Sequence, residues 1–409
     1  MTDYFDSLET RSPEAREEAL MQALPKQIAF AQSNSDYYRS ILRDVDPAEV
    51  TSRSALAGLP VTRKSQLIEL QRRNPPFGGL AAAPKESLAR IYLSPGPIAD
   101  PESHGADWFR FARALYAAGF RKGELLHNSF AYHFTPAGRM FESAAHALGC
   151  VVFPAGTGQT EAQIDAMRLL RPQGFAGTPD FLKIILARAD ELEVDLSCLR
   201  RALVSGGPLF PALRAMFDDR EIQVLQCYGT ADLGLVAYES EARDGLILDE
   251  QIIVEILRPG TGDPVANGEV GEVTVTLLNQ EYPLIRFATG DLSAMMDGAS
   301  PCGRTAPRIR GWMGRADQTT KVKGMFVHPE QVAAVLKNHP EIKRARLIVS
   351  LEEGADVMTL KCEAEEPLNT DAIAETIRIE CKLRGGVEPV PSGALPNDGK
   401  VIEDTRGAT

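Results

Sequence analysis

The stretch Pro283-Leu284-Ile285-Arg286-Phe287-Ala288-Thr289-Gly290-Asp291 reads as an apolar strand closed by a turn. Gly290 supplies the freedom in φ that a sharp turn needs, and the turn leaves Asp291 as a fixed carboxylate. Such a carboxylate is suited to accepting hydrogen bonds from a ribose diol. Two later points share this logic. Gly314-Arg315-Ala316-Asp317 sets a guanidinium two residues before another carboxylate, a ribose or phosphate clamp beside a hinge. Gly399-Lys400 offers a loop-borne ammonium able to swing onto a phosphate.

Working outward from this strand, residues 246–296 read as strands with hairpin turns. Ile252 to Leu257, the turn-rich Pro259-Gly260-Thr261-Gly262-Asp263-Pro264, and Gly271 to Leu277 follow one another. A small distorted β-barrel is the expected result. Upstream, between about 90 and 225, short apolar runs alternate with amphipathic ones. Strands are expected at Ala89–Leu93, Val151–Phe153 and Arg201–Val204, and helices at Trp108–Gly119, Met140–Leu148, Glu161–Leu170 and Pro179–Ala189. Strands separated by helices of this length predict a mostly parallel sheet covered on both faces. Residues 13–43 are helical in pattern and close at the Pro/Gly-rich Asn74–Gly79. Downstream of Gly314 a compact unit is expected, with helices at Pro329–Lys337 and 371–384 and strands at 344–350, 357–363 and Val387–Val390. The predicted class is α/β: a large domain, 1–315, of mixed and parallel sheets with flanking helices plus the small barrel, then a small α+β domain, 316–409.

Composition narrows the function. The 409 residues carry a formal charge of -12, with basic residues scattered rather than striped, which argues against nucleic acid and against an anionic membrane surface. No apolar run is long enough to span a bilayer, and the first residues are acidic where a signal peptide would be basic. A cytoplasmic protein with small-molecule or protein partners is expected. Six widely spaced cysteines, with no CxxC pair, predict reduced thiols.

Several segments together resemble the phenylacetate-CoA ligase branch of the adenylate-forming, or acyl-CoA synthetase, superfamily. They are Leu59-Pro60-Val61-Thr62-Arg63-Lys64, Ser205-Gly206-Gly207-Pro208-Leu209, Gln226-Cys227-Tyr228-Gly229-Thr230-Ala231-Asp232, Pro283 to Asp291, Cys302-Gly303-Arg304-Thr305, Gly314 to Asp317, Lys323 to Pro329, and Leu395 to Lys400. The resemblance is collinear over essentially the whole chain. It implies two steps: ATP and a small-molecule carboxylate give an acyl-adenylate and pyrophosphate, and the acyl group then passes to the thiol of coenzyme A. It also implies roles. Lys400 would bridge carboxylate and α-phosphate during adenylation. Asp291 would hold the ribose hydroxyls, Arg315 would contact ribose or phosphate, and Asp317 would sit at the hinge. Ser94 and Gly96 would lie on the phosphate loop, and Ser205, Gly206, Gly207, Tyr228, Gly229 and Thr230 around the nucleotide, with Tyr228 stacked on adenine. Lys323 and Gly324 would line the coenzyme A tunnel. Phe130, Tyr132, His133 and Phe134 would wall the acyl pocket, weakly favouring an aromatic acid. A homodimer is the family habit, in keeping with the amphipathic N-terminal helix.

The chain departs from the family at the phosphate end. The loop that should be rich in Ser, Thr and Gly reads Tyr92-Leu93-Ser94-Pro95-Gly96-Pro97-Ile98-Ala99-Asp100-Pro101. Three prolines remove backbone donors, and Asp100 adds negative charge where phosphate should lie. At the adenylate motif Ala231 and Asp232 stand where a hydroxyl residue and a magnesium-holding glutamate are usual. Weak Mg²⁺ binding at Asp232 and a degenerate phosphate loop are therefore expected. Three readings stay open on sequence: a working carboxylate-CoA ligase, a relative that binds adenylate or acyl-CoA but uses ATP poorly, and a non-catalytic binding subunit. Near Cys302 the branch often carries a zinc-binding cysteine cluster. Here Ser300 and Ser240 replace its neighbours, and one thiolate makes no tetrahedral site, so no structural zinc is expected.

Overall fold

The computed structural model describes residues 4–94, 97–316, 318–323, 325–352, 355–365 and 367–406. Contacts divide the chain into two compact units. The first comprises Met1–Val254, Val275–Phe287 and Met296–Gly311, and the second Glu255–Thr274, Ala288–Met295 and Trp312–Thr409.

In the first unit five strands run in parallel, ordered Val151–Pro154, Leu125–Asn128, Gly174–Gly177, Arg201–Val204 and Gln223–Thr230. Gly234–Tyr238, Leu246–Leu248 and Arg308–Ile309 extend the sheet antiparallel. The helices Ala137–Ala147, Thr160–Leu170, Pro179–Glu191 and Pro211–Asp218 make the parallel crossovers. Successive residues of one strand serve opposite cores, as the two-residue period of a sheet requires. Ala176, Leu203 and Leu225 pack with Phe109, Phe111, Phe141 and Ala144. Phe175, Ala202, Val204 and Val224 pack with Ile164, Leu182, Ile185 and Phe217 on the other side. Strands buried on both faces explain why their sequences are apolar throughout rather than alternating.

The sequence expectations at 13–43 and 246–296 are refined. The helix breaks at Ser35, whose hydroxyl accepts from Tyr38 N and so starts a second helix, Asp36–Ile41, after Pro13–Asn34. Among the described residues the expected barrel is an open four-stranded sheet, ordered Thr62–Arg63, Leu284–Ser293, Gly271–Leu277 and Ile252–Leu257, with no closure. A sheet of four strands is too narrow to curl upon itself. The stretch read as a phosphate loop is a hairpin instead: Ile98–Glu102 pairs antiparallel with Arg90–Ser94, Tyr92 opposite Asp100 and Ile91 opposite Pro101. Proline is tolerated there because a two-stranded ribbon has an outer edge that needs no donor. Gln71 takes the outer place, its Nε2 donating to Ala99 O at 2.9 Å and its Oε1 accepting from Ala99 N at 2.7 Å.

In the second unit Arg344–Glu352 and Ala355–Glu363 pair antiparallel, flanked in parallel by Ile402–Asp404 and Gly386–Val390. Helices Pro329–Asn338 and Thr370–Cys381 contribute Val332, Val335, Ile373 and Ile377 to a core with Leu347, Val349, Leu360 and Ile402. All six cysteines are free. Among the described residues no helix is long and apolar enough to cross a membrane, and no group of three or more His, Cys, Asp or Glu side chains converges as metal ligands would.

Candidate active site

Parallel strands point their C-terminal ends the same way, and ligands of such sheets bind beyond those ends. Here Ser129-Phe130, Thr178, Ser205-Gly206 and the end of Gln223–Thr230 gather at that edge. Ser129 N donates to Ala176 O at 2.7 Å, Ser205 N to Gly177 O at 3.2 Å, and Ser205 Oγ to Cys227 O at 2.9 Å. Gly206 has φ +71°, and a Cβ there would lie 3.7 Å from Thr178 and 3.9 Å from Phe130, so conformation rather than crowding demands glycine. Gly207 faces Pro179. Gly229 is demanded by crowding, because a Cβ would stand 2.7 Å from Gly234 O and 2.8 Å from Phe111. That close approach produces the irregular register at Tyr228/Gly229, with Tyr228 half-buried above it. Thr230 Oγ1 accepts from Leu233 N at 3.2 Å.

Asp232 is 1% exposed, and its Oδ2 is held by Lys64 Nζ at 2.6 Å. Lys64 stands in the lead-in segment, and Arg286 steers that segment. The Arg286 guanidinium, 1% exposed, donates to Ala57 O at 2.7 Å and Leu59 O at 2.5 Å. Neither partnership was legible in the sequence, since each joins residues more than 160 positions apart. Ser94 ends the first strand of the hairpin and donates to the Asp100 carboxylate. Asp100 is fully buried, and burial together with the neighbouring Asp232 pushes its carboxyl well above the usual range.

The ribose candidates are brought together in the second unit. Asp291 and Arg315 form an isolated antiparallel bridge, fastened by Leu292 N to Gly314 O at 2.9 Å and Ala316 N to Gly290 O at 2.7 Å. Arg315 Nη1 donates to Asp291 Oδ1 at 2.9 Å, and Trp312 Nε1 to the same oxygen at 3.0 Å. Gly290 has φ +77°, and a Cβ there would lie 2.8 Å from Arg315 Nη2. Trp312 was missed on sequence; its place two residues before Gly314, with an indole 52% exposed, is the only local signal.

Lys400 is exposed, its ammonium 3.8 Å from Glu403 Oε1. Its backbone is fixed: Gln318 Nε2 donates to Gly399 O at 2.9 Å, and Gln318 Oε1 accepts from Val401 N at 2.5 Å and Ile402 N at 2.8 Å. Lys400 lines a small cavity with Arg258, Glu269 and Arg344. Lys323 is exposed, with φ +48° and its N–H on Asp356 Oδ2 at 2.7 Å. Gly96, Asp317 and Gly324 lie outside the described residues.

The four acyl-pocket candidates separate by environment. Phe130 is 7% exposed and stacks on Phe141 with centroids 4.5 Å apart. Tyr132 presses its ring on Gly138, where a Cβ would be 2.8 Å away, and its hydroxyl accepts from Asn128 Nδ2 at 2.8 Å. His133 and Phe134 are exposed, and Phe134 O accepts from Leu93 N at 2.8 Å. A second histidine went unread. His127 is buried against Phe153 and Phe175, with Nε2 2.8 Å from Gln163 Oε1, and burial holds its basicity below normal.

These donor sets can be tested against ligands. A carboxylate already accepting from a guanidinium and an indole has the charge a ribose diol needs as acceptor. Asp232 offers a buried oxygen, Oδ1, with no hydrogen-bond partner, which fits a hard cation such as Mg²⁺.

Residues 126–277 match the family of AMP-binding enzymes. A phenylacetate-coenzyme A ligase of Thermus thermophilus is 32% identical over 382 residues, covering 89% of this chain and 85% of its own length. One of Escherichia coli is 30% identical over 381 residues, 88% of this chain and 85% of the relative. In fold the chain is similar to a 2-hydroxyisobutyryl-CoA ligase solved with an acyl-AMP in a postadenylation state, at a TM-score of 0.74 and 22% identity over 100% of this chain and 93% of that one. At 30% identity and above over nearly nine-tenths of its length, the chain belongs to the phenylacetate-coenzyme A ligase family.

Proposed function

We propose that the protein is a carboxylate-CoA ligase. It activates an aryl or small carboxylic acid with ATP as an acyl-adenylate and transfers the acyl group to coenzyme A. The observation that carries the reading is the convergence of Trp312, Arg315 and Asp291 on one carboxylate oxygen, a prearranged acceptor for a ribose, in a chain of this family. The comparisons lend no support to loss of function at the phosphate loop, so the working ligase is preferred to the two degenerate readings.

In this mechanism Asp291 holds the ribose diol while Arg315 orients the carboxylate. Ser205, Gly206, Gly207, Tyr228, Gly229 and Thr230 border the base and phosphates, with backbone allowed to approach at the two constrained glycines. Lys400 leaves Glu403 and places its ammonium against the negative charge that develops at the α-phosphate as the carboxylate attacks and pyrophosphate departs. Mg²⁺, where bound, neutralises phosphate charge, and Asp232 is the residue to hold it. Lys323 and Gly324 then face coenzyme A. Residues 316–409 act as a small mobile domain with its hinge at Asp317, a division supported by a core drawn wholly from positions 322–402. Phe130, Tyr132, His133 and Phe134 border the acyl group. The protein works in the cytoplasm as a homodimer.

The test is pyrophosphate release with ATP and Mg²⁺ across a panel of aryl and short acyl carboxylates, followed by thioester formation on adding coenzyme A. Release that depends on the acid, and thioester that depends on coenzyme A, are the expected results. No release with any acid, alongside intact AMP binding, would sink the reading.

A further inference from the structure

The turn after Lys323 is held down by charge, although the strands that lead to it need no such help. Thr320–Val322 pairs antiparallel with Met325–Val327, with Val322 opposite Met325, so the chain reverses directly after Lys323. Val322 and Val327 are buried and belong to the core of the second unit, which anchors both strands. Lys323 itself is exposed and has φ +48°. That left-handed conformation is unfavourable for a residue with a Cβ, and it persists only where the surroundings impose it. Apolar packing does not impose it here, because Lys323 lies outside the core.

What imposes it is a ring of charge-assisted hydrogen bonds drawn from three segments. Asp356, at the start of the strand Ala355–Glu363, accepts the Lys323 N–H on Oδ2 at 2.7 Å. Its Oδ1 accepts from Arg406 Nη1 at 2.8 Å. Arg406 follows the strand Ile402–Asp404 and folds back on the end of it, with Nε 2.9 Å from Asp404 Oδ1. Its Nη2 donates to Thr320 Oγ1 at 3.2 Å, and Thr320 Oγ1 donates to Asp404 Oδ2 at 2.6 Å. The planar fork of an arginine fixes the angle between the groups it joins, as a lysine could not. Both the N–H at the turn and the start of its first strand are therefore tied to one guanidinium. The Lys323 N–H, and after it the Arg406 guanidinium, hold the Asp356 carboxyl below its usual range, so it accepts as a charged group at neutral pH.

We propose that Asp356 and Arg406 are positioning residues of the thioester step: acting through Lys323, they hold the turn in the direction that meets coenzyme A. That the turn faces coenzyme A rests on the ligase reading; that the pair restrains the turn does not. Removing the carboxylate frees the turn and leaves the strands and the core in place, so the loss falls on one half-reaction.

The experiment compares full-length Asp356→Ala, Asp356→Asn and Arg406→Lys with the wild type. Three quantities are read: pyrophosphate release, thioester formation from a supplied acyl-adenylate as coenzyme A is varied, and tryptic cutting after Lys323, followed by mass spectrometry. The adenylate is that of any acid the wild type activates. In Asp356→Ala the KM for coenzyme A should rise about tenfold, the scale of one lost hydrogen bond to a charged group, with kcat and pyrophosphate release within about twofold of wild type. Asp356→Asn keeps an oxygen for the Lys323 N–H and should recover most of that loss. Arg406→Lys keeps the charge without the fork, and its KM should rise about threefold. Cutting after Lys323 should be fastest in Asp356→Ala, since proteolysis tracks how often a segment opens. Should Asp356→Ala fail to fold, Arg406→Lys carries the test. Wild-type KM for coenzyme A in the folded variant would overturn the proposal, and so would equal loss in both half-reactions or unchanged cutting after Lys323. No thioester from the wild type with any acid would sink the ligase reading instead, and the cutting rates would still decide whether the pair restrains the turn.

Discussion

Two acidic residues of the chain, Asp291 and Asp232, answer the same physical problem in opposite ways. Asp291, itself only 8% exposed, satisfies its carboxylate with an exposed guanidinium and a half-exposed indole that reach solvent, both donating to one oxygen. Asp232 is sealed inside, paired with one lysine, pressed by a second carboxylate, and left with an oxygen unsatisfied. Near water an ion pair contributes little to stability, so the first arrangement is cheap to open and close around a ligand. Away from water the same charge is costly to bury and holds its partners tightly. A nucleoside needs the first kind of site and a small hard cation the second.

The sharpest way to break the comparison is to remove a cation that belongs to neither group, Lys400. Lys400→Ala is expected to slow pyrophosphate release by about 10²–10³-fold, the loss typical of one preorganised electrostatic contact to a transition state. Thioester formation from a supplied acyl-adenylate should stay largely intact, and equal loss in both assays would deny Lys400 its role. Next in size is Asp291→Asn, which turns two charge-assisted bonds into neutral ones. AMP affinity measured by calorimetry should fall by about ten- to a hundredfold, or 1.5–3 kcal/mol. If affinity is unchanged, the Asp291 carboxylate is structural and the contrast with Asp232 disappears.

Much of the fold was open to reading, and particular residues show where reading stopped. Arg201–Val204, Ile252–Leu257 and Gly271–Leu277 form strands at the expected positions because their apolar, β-branched runs are bounded by turn residues. The prolines at 95, 97 and 101 instead concealed a hairpin, since proline argues against a central strand and says little about a two-stranded ribbon. At the site, Asp291 and Arg315 were legible because their partners lie within one bridge. Lys64, Arg286 and Trp312 were not, since their places depend on pairings that no local pattern encodes.

Smaller tests refine the contrast. Trp312→Phe keeps an aromatic ring and deletes one hydrogen bond to Asp291, so AMP affinity should drop about fivefold, near 1 kcal/mol. A change in Trp312 fluorescence on AMP addition provides a direct readout, with Trp108 the other tryptophan. The smallest effect concerns pH. Asp107, another buried carboxyl with an unpartnered oxygen, is pushed up to about 7, chiefly by burial and against the Ala112 N–H that its other oxygen accepts. Between its ordinary value near 4 and about 7 the folded state binds more protons than the unfolded one, so this group lowers stability as pH rises through that window. Melting curves across the window should therefore decline less in Asp107→Asn than in the wild type. Parallel slopes would show that the Asp107 carboxyl titrates like an exposed one.

The side chain of Gln318 joins the backbone immediately after position 317 to the peptide groups on both sides of Lys400. One amide thus works as a crank pin: under the proposed hinge, a turn of the chain at 317 would be passed through these bonds to the backbone beside the lysine, although 82 residues of sequence separate Gln318 from Lys400. Timing between that swivel and the charge would then depend on a residue to which no ligand contact is assigned.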